Sequence, residues 1–262
     1  MTAVPIPDEV HAAVDGLLAQ VDAALPGIVD AAYVTGSVAL DDFQPATSDI
    51  DAVLVTARPL EAHECVALAA IHRPSKPQVD VLYVTADELR SSPADARGPH
   101  SHEGAFHESN AFAANPVEWR TLQTRARTVR GPDLGLDDVW FDPDVLRAWN
   151  VRNLHEYWTG RLAWLRACAP TEAIMRWEYG LQWIVLGVPR LHHTIATLDI
   201  TSKTGAGEYA LGIADQRWRP VIETSMSLRR DRHAPFALSP DQLRDDAVDL
   251  VEWLIDDARD QA

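Results

Sequence analysis

Two carboxylates, Asp49 and Asp51, follow a Gly36-Ser37 pair, with eleven residues between Ser37 and Asp49, in the run Tyr33-Val-Thr-Gly-Ser-Val-Ala-Leu-Asp-Asp-Phe-Gln-Pro-Ala-Thr-Ser-Asp-Ile-Asp51. Alternate residues of a β-strand share a face, so the two acids would lie side by side while Ile50 enters the core. Hard oxygen ligands beside a small-residue turn suit Mg²⁺ and a nucleoside triphosphate. A third acid, Asp80, is the one charge inside the β-branched run Gln78-Val-Asp-Val-Leu-Tyr-Val-Thr85. If the two strands pair, three carboxylates converge. At an effective dielectric of about 20, each pair of charges about 4 Å apart costs roughly 4 kcal/mol. Divalent cations relieve that repulsion, and two of them could clamp the attacking and leaving oxygens of a displacement at phosphorus. Gly-Ser and Asp-x-Asp also occur by chance in surface turns. The agreement of turn, spacing and a third acid on a later strand favours the chemical reading.

Gly36-Ser37, Asp49-x-Asp51 and Asp80 resemble the signature of the polymerase-β-like nucleotidyltransferase superfamily. Within it the chain is similar to the aminoglycoside adenylyltransferases that modify streptomycin and spectinomycin. The second likeness rests on Arg190, Thr201-Ser-Lys203 and Trp218-Arg-Pro-Val-Ile222, in the order and rough spacing of that family. The resemblance implies that Gly36 and Ser37 hold the β- and γ-phosphates of ATP. It implies that Asp49 and Asp51 hold Mg²⁺, with Asp80 completing a second metal site, and that Arg190 and Lys203 reach ATP from a second domain. The third acid of the family is typically Glu and acts as the base on the drug hydroxyl. Asp80 is one methylene shorter, which leaves open whether it is metal ligand or base.

The elements that must position these residues follow from periodicity. Val10, Val14, Leu17, Leu18 and Val21 recur at helical spacing, which predicts an amphipathic helix over 8–24 ended by Pro26-Gly27. Strands are expected at 31–35, at 52–56 as the tail of the Asp49/Asp51 strand, and at 78–85. A helix is expected from near Leu60, opened by Pro59, to about His72. Residues 91–110, rich in Ser, Pro, Gly and His, read as a solvated loop that could serve as a lid. His100, His102, Glu103 and His107 invite a zinc reading, but Phe106 stands where the metalloprotease spacing requires a second His. Trp119 to Arg130 reads as a helix with solvated arginines.

Gly131-Pro132 and the acidic stretch to Pro143 mark a composition shift, so the expected domains are 1–142 and 143–262. Beyond it strand signals fade, and 144–166, 171–186, 190–199, 207–230 and 239–260 read as helices. The expected class is α+β: an N-terminal nucleotidyltransferase domain with a mixed sheet, then a C-terminal α-helical bundle that clamps nucleotide and substrate. Seven of the nine tryptophans lie at or beyond residue 140 and are read mainly as core of that bundle. Trp177-Glu178, about three helical turns before Arg190, and Glu156 are the residues proposed to face a cationic ring system, against a simpler reading as core or solvated face.

Bulk properties bound the function. A net charge of −16, with 23 basic against 39 acidic residues and no basic block, argues against nucleic acid as partner. An acidic cleft would attract a cationic small molecule. No run is apolar enough to span a membrane and no signal peptide is evident, so a cytoplasmic protein with free thiols at Cys65 and Cys168 is expected. The reaction expected is Mg²⁺-dependent transfer of AMP from ATP to a hydroxyl of an aminoglycoside or aminocyclitol. The alternatives are a nucleotidyltransferase acting on a protein or other cellular acceptor, and a catalytically silent nucleotide-binding module.

Overall fold

The computed structural model describes residues 5–109, 113–167, 180–231 and 238–260. The chain divides into two compact units, Met1–Phe141 and Asp142–Ala262. The first is a mixed sheet with helices and the second, among its described residues, is helical.

The sheet of the first unit has six strands: β1 (Val29–Val34), β2 (Ile50–Thr56), β3 (Val79–Thr85), β4 (His100–His102), β5 (Ala105–His107) and β6 (Arg127–Arg130). Their order is β5-β4-β3-β2-β1-β6, with β2 and β3 parallel and every other pair antiparallel. Strict alternation sends side chains to two faces. Ala32, Val34, Ile50, Ala52, Leu54, Val81 and Tyr83 join helix α1 (Asp8–Ala24) and helix α2 (Ala62–Ile71) in one core. Ala31, Tyr33, Val53, Val55, Leu82 and Val84 form a second core with Trp119 and Leu122 of helix α3 (Pro116–Thr124). Helix α1 buries the five residues picked out by its periodicity, each contributing about 1.5–3 kcal/mol. Helix α2 begins at Ala62, later than Pro59, because the Glu64 carboxylate accepts the Glu61 amide at 2.8 Å and is itself gripped by Arg58.

Two readings of the sequence are corrected here. The 91–110 segment is not an unstructured loop: β4 and β5 form a hairpin on the edge of β3, turning through Glu103 and Gly104 at φ 51 and 76. Two consecutive positive φ values are those of a tight hairpin turn whose twist matches the strands it joins. Strands of three residues carry too few alternations to show a period. The expected helix to Arg130 stops at Thr124, and the chain then pairs with β1 as β6. Three of its arginines, Arg120, Arg127 and Arg130, are engaged by protein groups, while Arg125 is exposed. Arg130 forks onto Asp22 at 2.9 and 2.7 Å and lowers that carboxyl's pKa, Arg127 pairs with Asp41, and Arg120 stacks over Phe141.

The second unit contains α4 (Pro143–Asn153), a π-helical turn (Leu154–Trp158), α5 (Thr159–Ala167), α6 (Gly180–Thr197), α7 (Lys203–Ile213), α8 (Arg219–Arg230) and α9 (Pro240–Asp260). Asp142 caps α4 by accepting the amides of Asp144 and Val145, with Pro143 at the first helical position. The expected helix over 144–166 thus runs on through a π turn, and the expected helix over 207–230 is two helices joined at a turn of 3₁₀ type, Gln216–Trp218. Leu154, Trp158, Leu165, Ile184, Val185, Trp218, Val221, Ile222, Leu250 and Leu254 are among its core residues. Trp164, read as core, is 41% exposed. None of the described helices is long and apolar enough to cross a membrane.

Candidate active site

Thr35, Asp51, Asp80 and His102 form one row across four neighbouring strands. The pairing of β2 with β3 sets Asp51 directly opposite Asp80. The Thr35 amide donates to the Asp51 carbonyl at 2.9 Å, one step beyond the Val34–Ala52 pair. The β3–β4 register pairs Val81 with Ser101, so the adjacent position brings His102 beside Asp80, and the His102 Nδ1 donates to Asp80 Oδ2 at 2.7 Å. All four share parity with the face that packs on α3. There they line a cavity of about 190 Å³, completed by His100, Ser101, Asn115 and Glu118 among others. No Lys or Arg is among its lining residues. Burial lowers the pKa of His100, so that ring is neutral at pH 7, and its Nδ1 is tied to the Ser109 carbonyl at 2.7 Å.

Gly36 is fixed by this row. It leaves β1 at φ 52 and opens a short helical turn, Gly36–Ala39, whose backbone runs against the Asp51 carboxylate. A Cβ at residue 36 would fall 1.8 Å from Asp51 Oδ2. Both the positive φ and the close approach require glycine. At the same turn the hydroxyl oxygens of Thr35 and Ser37 are buried without a partner among the described residues, as is that of Thr47 in the later turn ahead of β2. Buried hydroxyls are ordinarily paired, so two orphans at the Gly36 turn mark a place where ligand oxygens are the missing partners.

Asp80 is nearly buried and firmly held. Its Oδ1 accepts from the Gln78 side chain at 3.0 Å and from the Glu103 amide at 2.9 Å, while Oδ2 accepts from His102. Asp49 stands exposed just ahead of β2. Among the described residues no three His, Cys, Asp or Glu side chains are gathered as a ready-made metal cage. Mg²⁺ does not need one: it keeps waters and is bound through one or two carboxylates together with substrate phosphates. Asp51 beside the Gly36 cradle, with Asp49 two residues away and orphaned hydroxyls at hand, fits a magnesium-bound triphosphate in donor chemistry.

The other expected residues lie in the second unit. Arg190 sits on α6 and donates from Nε to the Thr201 carbonyl at 3.2 Å, which draws it to the segment bearing Lys203. Lys203 lies in the first turn of α7, capped by Ser202 through the Gly205 amide at 3.1 Å, not in an open loop. Glu156 is exposed on the π turn. Trp177, Glu178 and Cys168 lie outside the described residues; Cys65 is a buried free thiol. Sequence reading missed Thr35, Asn115 and Glu118, and singled out His102 only in a zinc reading that it set aside. Thr35 was accessible through alternation from Tyr33, whereas the other three enter only once the hairpin and α3 are placed.

No family model and no curated protein sequence matches the chain. Among solved structures, the fold matches a spectinomycin adenyltransferase, AAD(9), from Enterococcus faecialis, solved with ATP and spectinomycin. The TM-score is 0.66 at 12% sequence identity, covering 95% of this chain and 99% of that one. The mixed N-terminal sheet followed by a helical region is therefore a fold shared with that enzyme.

Proposed function

We propose, from the premise that this chain carries the fold of a polymerase-β-like nucleotidyltransferase, that it transfers AMP from ATP to a hydroxyl of a small cationic acceptor, releasing pyrophosphate. The acceptor class we assign is the aminoglycosides and aminocyclitols of streptomycin or spectinomycin type. The observation that carries the reading is the Gly36 backbone lying against Asp51, with Asp80 in register on the next strand and orphaned hydroxyls on the same turn.

In this reading the turn at Gly36-Ser37 receives the β- and γ-phosphates, with the Ser37 hydroxyl finding there the partner it otherwise lacks. Asp49 and Asp51 hold Mg²⁺, which when bound supplies charge neutralisation on the triphosphate. Asp80, oriented by three N–H donors, keeps one acceptor site on Oδ2, which we assign to a second Mg²⁺ or to the proton of the acceptor hydroxyl. Arg190 and Lys203 are assigned to the phosphates, where they offset the charge that builds on the leaving group. The acceptor oxygen bonds to the α-phosphorus as the bond to the bridging α–β oxygen breaks, and the electron pair leaves with pyrophosphate. Catalysis of this kind is positioning and electrostatics, with no covalent work for the protein.

The test is pyrophosphate release from Mg²⁺-ATP across a panel of aminoglycosides and aminocyclitols, with product masses read. An adenylyl addition on one compound, lost in Asp51→Ala while the thermal melt is kept, is the expected result. Normal turnover in a folded Asp51→Ala would sink the assignment. ATP binding with no product on any drug would move the acceptor to the protein or metabolite class.

A further inference from the structure

A second hollow lies on the other face of the sheet, away from Asp51 and Asp80. It sits in the first unit, between one flank of α1 and the connection that leads from α2 to β3, and its volume is about 490 Å³. That falls within the roughly 300–1,000 Å³ of pockets that take a small molecule. Ala13, Leu17, Ile71 and Val79 give it an apolar floor. Gly16 leaves that floor open, since a Cβ there would meet nothing within 4 Å. A glycine inside a helix is destabilising relative to alanine, and no close contact of Gly16 accounts for it.

The polar groups of this hollow favour an anion. Arg73 and Lys76 line it together with one acid, Glu9, which reverses the balance of a chain with net charge −16. Arg73 donates from Nε to the Ala70 carbonyl at 3.0 Å, and neither cation has a carboxylate partner among the described residues. The lining also includes His72, 6% exposed, which burial keeps neutral at pH 7. Its Nε2 lies 2.7 Å from the Tyr83 hydroxyl. The buried phenol needs an acceptor for its proton, and Nε2 supplies one. The proton of the neutral ring is then on Nδ1, which has no partner among the described residues.

We propose that this hollow binds a small molecule with an apolar body and a single carboxylate. The body lies on α1 across Gly16, and the carboxylate is taken by Arg73, Lys76 and the His72 Nδ1–H. A planar carboxylate matches the fork of an arginine, and one negative charge matches two cations set against one acid. The site does not depend on AMP transfer: Val79 points to the α1 face of the sheet, and Asp80, the next residue of β3, to the opposite one.

The test is calorimetric titration of the full chain with 2-naphthoate and with its uncharged counterpart, 2-naphthamide. The parent is expected to bind the carboxylate about tenfold more tightly than the amide. Replacing the two exposed cations together, Arg73→Gln with Lys76→Gln, should remove that preference and leave the amide bound as before. Gly16→Leu fills the floor from an exposed position and should abolish binding of both probes. It should melt no lower than the parent, because leucine is the better helix former. If it does melt lower, the Arg73 and Lys76 replacement decides alone. With isotope-labelled histidine, the His72 Nδ1–H resonance should move as naphthoate is added. Equal affinity for the two probes, undiminished binding by a folded Gly16→Leu, or a His72 resonance unmoved at saturation would each overturn the proposal. So would a parent that binds neither probe. Asp51→Ala should bind naphthoate as the parent does, so failure of the AMP-transfer reading leaves this site standing; binding lost in that variant would place the carboxylate on the other face and remove the site.

Discussion

Two buried polar constellations, one in each unit, behave in opposite ways. In the first unit the row Thr35–Asp51–Asp80–His102 lines a cavity and leaves Thr35 without a partner among the described residues. In the second unit His192, 1% exposed, accepts from the Tyr209 hydroxyl through Nδ1 and donates through Nε2 to Asp257, both at 2.8 Å. That relay ties α6 to α7 and α9 among the rings of Tyr209 and Trp253. Both ring nitrogens are used, so the relay holds helices in place. The row is built around space and leaves capacity for a ligand. The His72–Tyr83 pair on the far face of the sheet is of the relay kind, with Nε2 and the phenol oxygen 2.7 Å apart under Phe106.

If that contrast holds, changes in the row damage activity and spare the fold, while changes in the relays do the reverse. The largest effect is expected for Asp51→Asn, which should cut AMP transfer by about 10³-fold, or about 4 kcal/mol, with the melting temperature unchanged or raised. A parallel loss of stability would place Asp51 with the relays. Gly36→Ala should come next, at about 100-fold in rate, because its Cβ displaces the Asp51 carboxylate and its φ of 52 strains any other residue. Kinetics close to those of the parent would show that the turn has room to move.

The His72 pair gives a pH test. Burial holds the His72 pKa down to about 4 against an ordinary 6.5, so the unfolded chain takes up a proton more readily than the folded one. The stability tied to the neutral ring is complete above about pH 6.5, falls as pH drops through the window from 6.5 to 4, and levels off below. The full loss is on the order of 3 kcal/mol. Denaturation midpoints across that window should slope in the parent and flatten in His72→Gln; equal slopes would remove His72 as the source. The smallest effect is expected for His192→Phe, at about 2 kcal/mol, since Tyr209 loses its partner while Asp257 is partly solvated. Chemical denaturation measures it, and AMP transfer well below the melting temperature should stay within about twofold of the parent.

The readings that held share one property: their signal is local and repeated. Helix α1 announced itself through five apolar positions at helical spacing. Strands β1 to β3 announced themselves through runs of Val, Ile and Ala broken by a single acid. The row was half visible, since Asp51 and Asp80 stand out as charges in apolar strands. Thr35 did not, because a threonine beside Gly36-Ser37 reads as turn chemistry until its face is known. The β4–β5 hairpin and β6 were misread because three or four residues give no period, and their stability comes from pairing with a neighbour distant in sequence. Lys203 fell between the helices expected over 190–199 and 207–230; the Ser202 cap, one residue before it, starts α7.

What the sequence by itself determined is the chemistry available: a glycine-serine turn, alternating carboxylates, a third acid on a later strand, and a net charge of −16. These follow from residue type and local period, which survive without tertiary context. What only the tertiary structure decided is register. Parallel pairing of β2 with β3 sets Asp51 opposite Asp80, the hairpin clamps Asp80 with His102, and α3 brings Asn115 and Glu118 to the wall of the same cavity. A shift of one residue in any of those strands would turn the row to the other face, because side chains alternate with period two.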